Sequence, residues 1–221
     1  MMKILRLKEF TINESISLID HDGILLIVDV QSNFKKYFPT DPNSYLKKLD
    51  DYCLEFPSGT TDMKGVYQIW DSNRGSKPSY KFKNQRDLVE KKFGVKKFYS
   101  KYNGGFKEWI TKIFDEKTLQ KFNEKRNKFE EGNAFKIKNK NEFLIYIGNT
   151  HKWFYVNEEL VDLFKKLNGK KVIVVGGAER ECLEDVFIAL KSFNVNPVYN
   201  HQYIYSAETG NYLKKSPTKS N

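Results

Sequence analysis

Val174-Val175-Gly176-Gly177-Ala178-Glu179-Arg180-Glu181-Cys182-Leu183 decides the fold. Lys171 to Val175 is an apolar strand that runs into two glycines. A helix from Glu181 to Phe193 starts beyond them, with a cysteine at its mouth. An apolar run without alternation suits a strand buried on both faces, and such strands belong to parallel sheets covered by helices. One step upstream, Val156 to Leu167 reads as the preceding helix: Asn157 is a cap, Glu158 and Glu159 fill the first turn, and Asn168-Gly169 stops it. Near the start of the chain, Gly23-Ile24-Leu25-Leu26-Ile27-Val28-Asp29-Val30 repeats the buried-strand pattern. Gly65 to Trp70 is a further strand, ending in Asp71-Ser72-Asn73. Asn43 to Leu54 is the helix between them, with Tyr45, Leu46 and Leu49 on one face and Cys53 as a core residue. Strand and helix alternate, so the expectation is one α/β domain over residues 1–221. Its architecture is a three-layer αβα sandwich with a mostly parallel, doubly wound sheet.

The remaining segments are less regular. Arg74 to Asn84 is a polar loop, Arg86 to Phe93 reads as a short helix, and Lys96 to Tyr102 as a short strand. Phe106 to about Gly132 is helical in pattern and charged nearly all round. That leads us to treat residues 107–143 as a helical insertion. Glu142 to Ile147 returns to strand character, and Asn196 to Tyr199 and Tyr203 to Tyr205 close the chain as short strands. The polar tail from Lys214 is expected to be disordered.

Of 221 residues, 39% are hydrophobic and 15% aromatic, enough for one well-filled core. The formal charge is +10. A basic balance permits a nucleic-acid partner, but the lysines are spread along the chain rather than gathered, which argues against one. Two cysteines make no disulfide framework and fit a reducing, cytoplasmic setting. The first residues are charged too early for a signal peptide, and no apolar run approaches membrane-spanning length. His21, His151 and His201 are not spaced as a metal-binding pair, so neither metal nor cofactor is expected.

Parallel sheets place ligands beyond the carboxyl ends of their strands, where strand order reverses. Those ends carry Asp29, Asp71, Lys101 and the turn from Gly176 to Cys182. A cysteine at a helix start meets free N–H groups and the positive end of the helix dipole, which favour a thiolate and an oxyanion. A neighbouring carboxylate can take the thiol proton, and a lysine can balance the resulting charges.

The strand end Val28-Asp29-Val30-Gln31, followed late in the chain by the strand–Gly176-to-Cys182–helix unit, resembles the isochorismatase-like cysteine hydrolases, the group that contains nicotinamidases and carbamoylases. The resemblance implies a Cys–Asp–Lys triad that cuts an amide-like C–N bond of a small molecule. Cys182 would be the nucleophile and Asp29 its base. Lys101, before Tyr102-Asn103-Gly104-Gly105-Phe106, would be the lysine if residues 107–143 are inserted; His151 or Lys152 is the nearest candidate if they are not. Gln31, Asp71, Asn73, His151, Gly177 and Ala178 would line the substrate site, and homo-oligomers are common in the family. The alternative on the same fold is a ligand-binding or interaction protein without chemistry, its glycine turn holding an anion.

Overall fold

The computed structural model describes residues 22–38, 41–59, 62–73, 77–92, 96–97, 111–124, 132–147 and 152–206. In chain order the elements are β1 (Ile24–Val28), a 3-10 segment (Ser32–Tyr37), α1 (Pro42–Cys53), β2 (Gly65–Asp71), β3 (Gln85–Lys91) and β4 (Lys96–Lys97). They continue with α2 (Glu116–Glu124), β5 (Ala134–Lys136), β6 (Phe143–Ile147), β7 (Lys152–Val156), α3 (Glu158–Lys166), β8 (Lys171–Gly176), α4 (Cys182–Ser192) and β9 (Asn196–Ile204).

Five strands form one sheet in the order β3-β2-β1-β8-β9, and all four pairings are parallel. β1 lies at the centre because its sequence, ILLIV, is apolar on both faces and buried throughout. Its alternate residues feed two cores. Ile24, Leu26 and Val28 pack with Leu160, Val161, Leu163 and Phe164 of α3 and with Leu183, Val186, Ala189 and Leu190 of α4. Leu25 and Ile27 pack with Tyr45, Leu46, Leu49, Tyr52 and Cys53 of α1. The sheet is thus flanked by helices. From β1 the chain first adds β2 and β3 on one side, and later adds β8 and β9 on the other. Strand order therefore turns at β1, whose carboxyl end carries Asp29.

The structure differs from the sequence reading at several elements; the two short closing strands, for one, are a single strand, β9. Residues 86–91 lie in a strand, β3, and not in a helix. Glu90 and Lys91 are good helix formers, but the segment pairs with β2 from Gln85 to Lys91, and the ladder overrides propensity. Nor does every strand join one sheet. β4, β7, β6 and β5 form a separate antiparallel sheet in that order. Its residues alternate between cores: Ile145, Phe154 and Val156 enter the core under α3 and α4, while Leu144, Tyr146 and Trp153 meet Phe114, Phe135 and Ile137 in a third cluster. A sheet covered on both faces reads as continuously apolar, and that hid its antiparallel character. Of the expected insertion, residues 111–113 and α2 are helical, and β5 pairs with β6. Lys101 to Phe106, His151, Lys214 and the rest of the tail lie outside the described residues. No helix among the described residues is long and apolar enough to cross a membrane.

Candidate active site

Two glycines bring the ends of β8 and β1 together. Gly176 stands opposite Val28 in the ladder at φ +98°, and a Cβ there would sit 2.1 Å from the Val28 carbonyl oxygen. A Cβ on Gly177 would lie 2.6 Å from the Tyr205 ring. Only glycine fits either place. The Gly177 N–H donates to Val28 O at 3.0 Å, and the Glu179 N–H to Tyr205 O at 2.9 Å. These bonds turn the chain so that α4 begins at Cys182, with Glu181 as its cap residue.

Asp29 follows β1 in the left-handed region, at φ +53°. A non-glycine residue held there costs on the order of 1–2 kcal/mol, and such strain gathers at functional sites. Its surroundings hold it: the Asp29 N–H donates to Ile69 O at 2.9 Å, and the Tyr205 hydroxyl donates to Asp29 O at 2.8 Å. The carboxyl is fully buried. Lys91, the last residue of β3, also has no exposed surface, and its Nζ donates to Asp29 Oδ2 at 2.5 Å. The lysine that meets Asp29 is therefore Lys91.

The thiol of Cys182 interacts with both members of this ion pair. Burial pushes the thiol up to about 12; the Lys91 ammonium pulls the other way, while the Asp29 charge, a hydrogen bond with Asp29 and the charge of Asp185 add to the rise. Burial likewise opposes the charge on Lys91, but Asp29, Cys182 and Asp71 outweigh it and the ammonium is held beyond its ordinary range. At neutral pH the site thus holds a thiol beside an ammonium. Asp29 Oδ1 has no conventional hydrogen-bond partner among the described residues, so one carboxylate oxygen remains to accept a proton.

The other expected site residues are placed as follows. Gln31 is buried, and its side chain is taken up by the main chain of Asp71: Oε1 accepts from Asp71 N at 2.8 Å and Nε2 donates to Asp71 O at 3.2 Å. It pins the end of β1 to that of β2. Asp71 is buried opposite Lys91 in the β2–β3 ladder, and its Oδ1 accepts from Asn73 N at 2.9 Å. Gly177 and Ala178 form the turn before Cys182, joined by a cis peptide bond. For Lys152 the structure describes the strand position alone.

Sequence reasoning missed Lys91 and Tyr205. A signal for Lys91 was present: Asp87, Val89 and Lys91 share one face of a strand, which sets the lysine in line with a core valine at a carboxyl end. Tyr205 carried none, because its role depends on β9 lying beside β8. Among the described residues no group of three or more His, Cys, Asp or Glu side chains could hold a metal ion. No family model matches the chain, and no curated protein or solved structure is found to be similar to it.

Proposed function

We propose that this chain is a cysteine-dependent hydrolase of an amide-like C–N bond in a small molecule, working through Cys182, Asp29 and Lys91 on a doubly wound αβα sandwich. The carrying observation is the buried Lys91–Asp29 pair, 2.5 Å apart, set against the cysteine that opens α4. A buried ion pair costs stability unless its geometry is excellent, so its presence beside a thiol points to chemistry. The family resemblance of the two strand ends supports the same reading.

In this mechanism Asp29 takes the thiol proton as Sγ attacks the carbonyl carbon and the C–S bond forms. A thiol of pKa about 12 needs such a base, since little thiolate exists beforehand. The carbonyl oxygen becomes an oxyanion. In the turn, the N–H groups of Gly177, Glu179, Glu181 and Leu183 are bonded to Val28 O, Tyr205 O, Ala178 O and Ala178 O. Among the described residues those of Ala178, Arg180 and Cys182 have no backbone partner, and we assign Ala178 and Cys182, which flank the turn, to the oxyanion. The C–N bond then breaks and Asp29 returns its proton to the leaving nitrogen. Water attacks the thioester, Asp29 takes a proton from it, and the acid leaves as the thiol is restored. Lys91 remains an ammonium throughout and holds Asp29 in place. Asn73 and the Gly177–Ala178 turn are assigned to the substrate site.

The high thiol pKa and the acids of the first turn, Glu184 and Asp185, favour a second reading, a binding protein that performs no chemistry. Incubation with a series of small primary amides and carbamoyl compounds, followed by mass spectrometry, separates the two. The hydrolase reading expects an acyl adduct on Cys182 and release of ammonia, both absent in Cys182→Ser. Turnover undiminished in Cys182→Ser overturns it, and no adduct with any member of the series favours the binding protein.

A further inference from the structure

Among the described residues β3 is an edge strand, and its last residue is the lysine that meets Asp29. Ends of edge strands have main-chain groups with no neighbouring strand to pair them. Here a side chain does the pairing. Asn157 Nδ2 donates to Glu90 O at 2.9 Å, and Asn157 Oδ1 accepts from Lys92 N at 3.3 Å. These are the two bonds that an adjacent parallel strand would make, one on each side of Lys91. Glu159 adds a third, its Oε2 accepting from Glu90 N at 2.9 Å.

Asn157 was expected to cap α3. It stands at the cap position, but its side chain makes no cap bond and is turned to β3 instead, 5% exposed. It also lies where the chain leaves the antiparallel sheet, directly after β7, while β4, five residues past Lys91, pairs with β7. Both crossings between the two sheets therefore meet at one carboxamide.

We propose that Asn157 is the positioning residue of Lys91: by standing in for a missing strand it sets how closely the ammonium approaches Asp29 and Cys182. This rests on the hydrolase reading for its purpose, but not for its test. Asn157 touches no reacting atom. Its effect reaches the thiol through Lys91, whose neighbours are Asp29, Asp71 and Cys182; the thiol in turn faces Lys91, Asp29 and Asp185.

The test follows alkylation of Cys182 by iodoacetamide against pH in the full-length protein, which needs no substrate. Cys53 is fully buried and serves as a silent site. Asn157→Ala is expected to slow alkylation by about two- to tenfold at a fixed pH and to move the profile to higher pH, the size of effect one hydrogen-bonded contact carries. Lys91→Met should act in the same direction and more strongly. The double variant should be no slower than Lys91→Met alone. Asn84→Ala, which removes bonds to Cys53 O and Phe56 O, is the control for destabilisation alone and should leave the profile unmoved. Should Asn157→Ala fail to fold, Glu159→Gln loosens the same edge and is expected to shift the profile in the same direction. A wild-type profile in the folded Asn157 or Glu159 variant, or full additivity with Lys91→Met, overturns the proposal. Amide hydrolysis that persists with such a profile leaves the hydrolase reading standing; a shifted profile without hydrolysis of any amide retains the positioning role and removes the enzyme.

Discussion

Removing one member of the Asp29–Lys91 pair leaves an uncompensated charge on a buried side chain. Lys91→Met is expected to cost about 3–5 kcal/mol in a denaturant titration, and Asp29→Asn/Lys91→Met to recover part of that, because no unpaired charge is left buried. If the single and double variants are equally unstable, the pair is not what holds these strand ends together. On activity, Asp29→Asn should lose about 10²–10⁴-fold, as for a general base. Lys91→Ala should lose a comparable factor, whereas Lys101→Ala should lose little; the reverse order would return the lysine role to Lys101. Tyr205→Phe tests the strain at Asp29. It removes one bond to a carbonyl in the left-handed conformation and should cost about 1 kcal/mol. Gly177→Ala forces a methyl group against the Tyr205 ring and should cost about 1–3 kcal/mol, with activity falling as the turn moves.

At the scale of elements, what the sequence displays is burial, and what it hides is partnership. β1 and β8 were legible because ILLIV and KVIVV are apolar on both faces, and α4 because its apolar spacing begins at Cys182. Asp29 was legible as the first polar group after a buried strand, and Cys182 as the residue that opens the helix after one. β3 was not: QRDLVEK has one fully apolar face position, Val89, in the core and gains its strand form from β2 on one side and Asn157 on the other. Lys91 was lost with it, and the lysine expected beside Asp29 was sought at Lys101, which lies outside the described residues. The antiparallel pairing of β6 with β7 was hidden by burial on both faces. Hydrogen exchange can test the side-chain edge of β3. The Glu90 amide should exchange slowly in the wild type and about tenfold faster in Glu159→Ala, with Lys92 less affected. Equal rates at Glu90 would mean that the Glu159 bond is not maintained in solution.

For the whole molecule, the half-buried thiol and the buried ammonium set how stability varies with pH. Cys182 loses its proton near 9.0 when unfolded and near 12 when folded, so between these values the folded chain keeps a proton that the unfolded chain releases. Stability must then fall as pH rises through that window. Lys91, also raised, has the same sign: its contribution is complete below its ordinary pKa of 10.5 and is lost above it. Wild type and Cys182→Ser should thus have similar pH dependence at neutrality and diverge above pH 9.0, the wild type losing stability more steeply. Parallel curves up to pH 12 would place the thiol in contact with water. The order of the strands has a consequence for biosynthesis. β1 is the middle of its sheet, yet its second neighbour, β8, follows about 140 residues later, which at ribosomal speed is about 7–30 seconds. Through that interval the nascent chain presents an apolar strand with one open edge, the kind of template on which chains join one another. A fragment that ends before Lys171 should therefore collect in inclusion bodies or on chaperones, and extending it through Tyr205 should release it into solution.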